Sequence, residues 1–152
     1  MFRHLDAFII NHWASDCEFE FKTVVDQMPD IGIAQRFTDT IYRYGARRRV
    51  YEDGCVVWTR KENRRVLPLS NCLKAVCVRE IPCRPDERFL GPVVLTRRQV
   101  RVSKIVATDW RADYSLVDGR SGVEMELEWI GEGMPQWRVI EDLLISLGTA
   151  TK

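Results

Sequence analysis

Histidine is almost missing from this chain: His4 and His12 are its only two, both near the start. Chemistry that needs a histidine base or a set of imidazole ligands has little to draw on. Cysteine adds no more. The five, at positions 17, 55, 72, 77 and 83, are odd in number and contain no CxxC pair. That argues against a disulfide framework or a zinc ribbon and fits reduced thiols inside a cell, serving as small core residues. There is no GxxxxGK[ST] and no GxGxxG, so neither a P-loop nor a dinucleotide fingerprint is present. No apolar run approaches the roughly 18–20 residues of a membrane span. The opening MFRHLDAFIINHW has polar residues within and beside its short apolar run, the wrong flanks for a signal peptide. Internal repeats and low-complexity linkers are absent too, and 152 residues fit a single domain over 1–152.

Charge of one sign is also lacking, since the net value is +1, which leaves no dedicated basic arm or acidic tail. That balance is global only. Residues 97–104, RRQVRVSK, hold four cations and no acid, whereas residues 109–142 hold nine acids and three Arg. The cations are 18 Arg against 5 Lys, a bias toward the planar fork that grips phosphate or carboxylate.

The periodicity reads as strands between two helices. Residues 2–13 space Phe2, Leu5, Phe8, Ile9 and Trp13 as a helix does, and 136–147 do the same before Gly148, placed as a C-cap. CEFEFKTVV (17–25) alternates as a strand, and 47–51 and 55–61 flank Asp53-Gly54 as a hairpin. Further strands are expected at 64–68, 73–81, 93–103, 108–117 and 122–130, while 34–43 reads as a weak helix. About eight mostly antiparallel strands predict a mainly β, α+β chain forming a barrel or sandwich.

Alternate residues of a strand share a face. Glu18, Glu20 and Lys22 therefore lie together, opposite Phe19 and Phe21, and Cys17 faces the core with the phenylalanines. Near the other end, Glu124, Glu126 and Glu128 share one face, and Met125, Leu127 and Trp129 the other. Carboxylates about 7 Å apart repel one another, which gains a solvated strand nothing and suits oxygen ligation of a hard cation, Mg²⁺ or Mn²⁺. The cations follow the same parity: Arg97, Gln99, Arg101 and Ser103 on one face, Arg111, Asp113 and Ser115 on another, Arg47 and Arg49 on a third. A solvent-facing strand surface, or an Arg-rich nucleic-acid track, accounts for some of these sets singly. Turned inward together, they make a mixed-charge cavity suited to a metal-bridged polyphosphate.

These motifs resemble the metal-dependent RNA 5′-triphosphatases of fungi, protists and large DNA viruses, within the triphosphate tunnel metalloenzymes. CEFEFK and VEMELE match that family's E-x-E pairs in the first and last long strands. Arg97-x-Gln99-x-Arg101 matches its R-x-K-x-R strand, and Trp110-Arg111-x-Asp113-Tyr-Ser115 the strand after it. LKAVCVREIP resembles the strand ending in Glu before Pro, and RRRVYEDGCVVWTRK the hairpin carrying one Arg and a returning Lys. The resemblance runs from about residue 16 to 147.

It implies an eight-stranded antiparallel closed barrel with a hydrophilic interior and the two helices packed outside. It implies Mn²⁺- or Mg²⁺-dependent removal of the γ-phosphate from triphosphate-ended RNA, the first step of mRNA capping. Glu18, Glu20 and Glu128 are implied to coordinate the metal, and Arg49, Lys61, Arg97 and Arg101 to grip the phosphates. Glu80 with Glu126 is implied to orient the attacking water, and Arg111 with Asp113 to form supporting pairs across the tunnel. The implied partners are 5′-triphosphate RNA and an RNA guanylyltransferase, with no membrane. A homodimer and a nuclear, cytoplasmic or viral-factory location stay open. The chain departs from the family at Gln99, where a Lys is usual, which removes one full charge from the grip. Two alternatives keep the same tunnel: hydrolysis of tripolyphosphate or NTP, and a noncatalytic protein-interaction subunit of the transcription machinery.

Overall fold

The computed structural model describes residues 1–30, 32–84 and 90–149. A short helix, α1 (Leu5–His12), leads into eight strands: β1 (Glu18–Val25), β2 (Gln35–Tyr42), β3 (Ala46–Tyr51), β4 (Val56–Pro68), β5 (Lys74–Pro82), β6 (Val93–Ala107), β7 (Trp110–Val117) and β8 (Val123–Trp129). A 3-10 turn at Trp137–Ile140 then runs into α2 (Glu141–Thr149). The strands close into one antiparallel barrel in the order β1-β5-β4-β3-β2-β6-β7-β8.

The apolar core lies outside this barrel, against one wall. Phe19 and Phe21 of β1, Ala75 and Cys77 of β5, Trp110 and Ala112 of β7 and Met125 and Leu127 of β8 point outward. Leu5, Phe8 and Ile9 of α1, Trp137 and Ile140 of the turn, and Leu144 of α2 close over them. Phe19, Phe21 and Trp110 are fully buried and stack edge-on or tilted against one another. Each contributes on the order of 2–3 kcal/mol of burial. Trp137 anchors the closing turn by donating its indole N–H to Asp6 of α1 at 2.8 Å. Because β1, β7 and β8 turn their apolar side chains outward, their charged alternates are forced into the lumen; on β5, Val76 and Val78 lie opposite Glu20 and Glu18 and share the inner face with Glu80.

Eight strands are present, but not the expected eight. The segment 34–43 is β2 and not a helix. The expected strands 55–61 and 64–68 are one strand, β4, carrying an irregularity between Glu62 and Arg65 where Asn63 takes φ 53°. The hairpin at Asp53-Gly54 stands as expected: Gly54 has φ 88°, and Tyr51 N–H donates to the Cys55 carbonyl at 2.9 Å. Gly148 does not cap α2, which runs through it to Thr149. A Cβ there would meet only side-chain ends, Met1 Sδ at 2.5 Å and Leu73 Cδ2 at 3.3 Å. Of the cysteines, Cys77 is buried, Cys17 packs against the core, and Cys55 is exposed in the hairpin turn, where its N–H donates to Asp53 Oδ1.

Candidate active site

The lumen is a cavity of about 1510 Å³ lined by eight acids and eight cations. All eleven residues singled out from the sequence (Glu18, Glu20, Arg49, Lys61, Glu80, Arg97, Arg101, Arg111, Asp113, Glu126 and Glu128) line it. Strand order separates the charges. The glutamates sit on the adjacent strands β8, β1 and β5, while four of the five lumen Arg come from β3 and β6, which flank β2 on the facing half of the ring.

On the acidic side the ladder sets Glu20 opposite Glu128, Lys22 opposite Glu126, and Lys61 opposite Glu80. Like charges directly opposed across a ladder destabilise it, and proton sharing relieves this pair of strands. Burial, with the neighbouring Glu80 carboxyl, pushes Glu18 up to about 8. Burial and Glu126 likewise hold Glu20 well above the usual carboxylate range. Burial also raises Glu128, against the pull of Arg111. Glu80 and Glu126 go the other way despite their burial. Hydrogen bonds from Glu18 and Glu20, with Arg47 and Lys61 beside Glu80 and Lys22 and Arg101 beside Glu126, lower both, Glu126 to about 2. Each pair thus holds one protonated and one ionised carboxyl, the ionised member being the one that faces cations.

Arg111 and Asp113 form a pair, but not across the tunnel. They are two positions apart on β7: Arg111 Nε donates to Asp113 Oδ1 at 2.9 Å, and its Nη2 reaches both Asp113 and Glu128. Ser103 Oγ donates to the same Asp113 oxygen at 2.6 Å. Glu124 lies at the end of the acidic row and pairs with Arg120.

The basic side is organised by residues that sequence reasoning missed. Asp39 of β2 is fully buried. It accepts two hydrogen bonds from Arg49, at 2.7 and 2.9 Å, and one from Gln99 Nε2 at 2.9 Å. Burial works against the charge of Arg49, but the Asp39 carboxylate and the Tyr51 hydroxyl more than offset it and raise its pKa. Phe37, also of β2, carries the Arg49 guanidinium 4.1 Å and the Arg101 guanidinium 5.1 Å from its ring centroid. Arg97 stands directly opposite Asp39, yet its Nε is buried without a hydrogen-bond partner among the described residues. Arg47, noted on the Arg49 face, is spent on Glu80. Among the described residues no carboxylate stands within ion-pair distance of Arg97 or Lys61, and Arg101 donates to Ser115 at 3.0 Å. These three are the lumen cations best placed to take an anion.

A closed eight-stranded antiparallel barrel with an ionic lumen and an apolar core outside it decides the comparison. The fold is the triphosphate tunnel. The triphosphatase of the mimivirus capping enzyme superposes with a TM-score of 0.67 at 14% identity, over 96% of this chain and 94% of that one. The Schizosaccharomyces pombe RNA triphosphatase Pct1, in its complex with the Spt5 CTD, superposes with a TM-score of 0.62 at 14% identity, over 97% and 90%. A conserved hypothetical protein of Pyrococcus furiosus gives 0.58 at 17%, over 88% and 91%. No family model and no curated protein matches the sequence.

Whether the tunnel suits a cation can be judged from its donors. Among the described residues no three His, Cys, Asp or Glu side chains stand as a ready-made ligand group. Glu128 leans to Arg111, and Glu20 to Lys22 at 3.6 Å. The chemistry fits all the same. The donors are hard carboxylate oxygens, Glu20 Oε1 is buried without a hydrogen-bond partner among the described residues, and Glu18 and Glu20 hold protons that a divalent cation replaces.

Proposed function

We propose that this chain is a divalent-metal-dependent RNA 5′-triphosphatase that hydrolyses the γ-phosphate of triphosphate-ended RNA, the first step of mRNA capping. The observation that carries the reading is the division of one lumen into a carboxylate half on β8, β1 and β5 and an arginine half on β3 and β6, which flank β2. The tunnel neighbours include two proteins described as RNA triphosphatases, which agrees with it.

Glu18, Glu20 and Glu128 would hold the ion, Mn²⁺ or Mg²⁺, which would supply charge neutralisation for the phosphates. Arg97, Arg101 and Lys61 bind the phosphates, joined by the lumen-facing edge of Arg49, whose Nε and one Nη serve Asp39. Glu126 and Glu80 are the two carboxyls kept ionised by their neighbours, and they orient the attacking water by accepting its hydrogens. Arg111, tied to Asp113 and Glu128, fixes the ends of β7 and β8 against each other. Catalysis of this kind is positioning plus electrostatic stabilisation, with no covalent work for the protein. An RNA guanylyltransferase, which acts on the diphosphate end produced, is the natural partner.

Incubation with γ-labelled triphosphate RNA and Mn²⁺ is expected to release phosphate. Glu20→Ala and Glu126→Ala are each expected to lower the rate by at least a hundredfold, a loss of about 2.7 kcal/mol of transition-state stabilisation. No release by the wild type, or full release by both variants, sinks the assignment.

A further inference from the structure

Ile33 is the most exposed large apolar side chain among the described residues, at 92%, and it borders the lumen. A single exposed isoleucine is ordinary on a protein surface; its neighbours make this one informative. Tyr51, the last residue of β3, is half-buried, borders the same cavity, and sets its ring 5.6 Å from that of Phe37. Gln35, the first residue of β2, is exposed and carries both an amide donor and an acceptor. Register brings the three to one mouth. Gln35 lies opposite Arg101 and Phe37 opposite Tyr51, while Gly32 lies beside Val102 and Ser103.

The phosphate grip begins where this shelf ends. Arg49 and Arg101 both lie over Phe37, and Tyr51 packs tilted against the same ring. An apolar and aromatic ledge with one amide, adjoining two guanidiniums, is the complement of a molecule that is flat and apolar at one end and polyanionic at the other. Inorganic tripolyphosphate has no part that would use the ledge.

We propose that Ile33, Gln35 and Tyr51 form a nucleoside subsite at this mouth, taking the first nucleoside of a 5′-triphosphate RNA as its phosphates pass Arg49 and Arg101. The inference rests on the polyphosphate reading above and adds to it a reason for preferring RNA. Ile33 and Tyr51 cover the faces of the base, and Gln35 meets its edge or the ribose.

The test compares a 5′-triphosphate RNA oligonucleotide with tripolyphosphate on wild type, Ile33→Ser, Tyr51→Leu and the double variant. Base stacking predicts that the KM ratio, RNA over tripolyphosphate, rises roughly tenfold in the double variant. Tyr51→Phe, which keeps the ring and removes the hydroxyl beside Arg49, is expected to preserve the wild-type ratio. A ratio constant across all variants, even with both activities reduced, overturns the subsite. Metal-free melting separates this failure from that of the phosphatase reading. The oligonucleotide is expected to raise the melting temperature of the wild type more than tripolyphosphate does, and the double variant to lose that difference. If the wild type hydrolyses neither substrate, the activity assignment falls and the melting comparison alone decides the subsite, equal shifts overturning it.

Discussion

Asp39 holds a carboxylate in a place that offers it no water, and three hydrogen bonds from two side chains compensate. Removing one member of such a set leaves the others buried and uncompensated. Asp39→Ala is expected to destabilise the protein by about 3 kcal/mol and to raise KM for any polyphosphate substrate, because Arg49 loses its fixed plane. Urea unfolding and substrate titration on the same preparation read both effects, and an unchanged midpoint would count against the role given to Asp39. The residue also explains Gln99. The neutral amide lines the lumen, but its Nε2 is engaged as a clip on Asp39. Sequence alone shows the missing charge at 99 but not the clip, since the partner lies 60 positions away in a segment read as helix.

That misreading belongs to the element scale. β1 and β8 are legible because one face is almost wholly apolar and the other almost wholly charged, so the period of two is plain. In β2 neither face is of one kind: Gln35 and Asp39 share the inner face with Phe37 and Ile41, while Arg36, Thr38 and Thr40 lie on the outer face. A strand that mixes polar and apolar residues on its inner face shows no clean hydrophobic alternation. The break in β4 was legible as a break but not as a bulge, because Asn63 interrupts the pattern without ending the ladder. Six of the eleven site residues lie on β1, β7 and β8, where the period of two is clear, while Glu80 and the roles of all eleven came from the family resemblance. Pairing across β1 and β5 has a pH consequence. Glu18 titrates near 8 when folded and near 4.5 when unfolded, so its contribution is complete below pH 4.5 and is lost as pH rises toward 8. Glu126, lowered to about 2, contributes above pH 4.5 and loses that contribution as pH falls toward 2. Metal-free protein is therefore expected to melt lower at pH 8 than at pH 5.5. Glu18→Gln is expected to flatten that slope, which differential scanning calorimetry would show. Mn²⁺ competes with the Glu18 proton, so the melting rise it produces is expected to be larger at pH 8 than at pH 6; a rise independent of pH would count against Glu18 as a ligand.

At the scale of the whole molecule, near-neutrality has a structural meaning. The eight acids and eight cations of the lumen nearly cancel, so the net charge of +1 conceals a strongly ionic interior. The apolar core is equally one-sided. It draws on α1, β1, β5, β7, β8, the closing turn and α2, and none of its fully buried members comes from β2, β3 or β6. The fold is thus two half-shells of unequal firmness: one clamped by helices, the other held by its ladders and by the ion pairs it turns inward. Local opening is cheapest where few apolar contacts are lost. Amide exchange is expected to be slowest in β1, β5 and β8 and markedly faster in β2 and β3, and a polyphosphate bound to Arg97 and Arg101 is expected to slow the second group selectively. Uniform protection around the ring would contradict this. A polyphosphate held in this lumen would fill the softer half, so that occupancy and the rigidity of that wall would rise together.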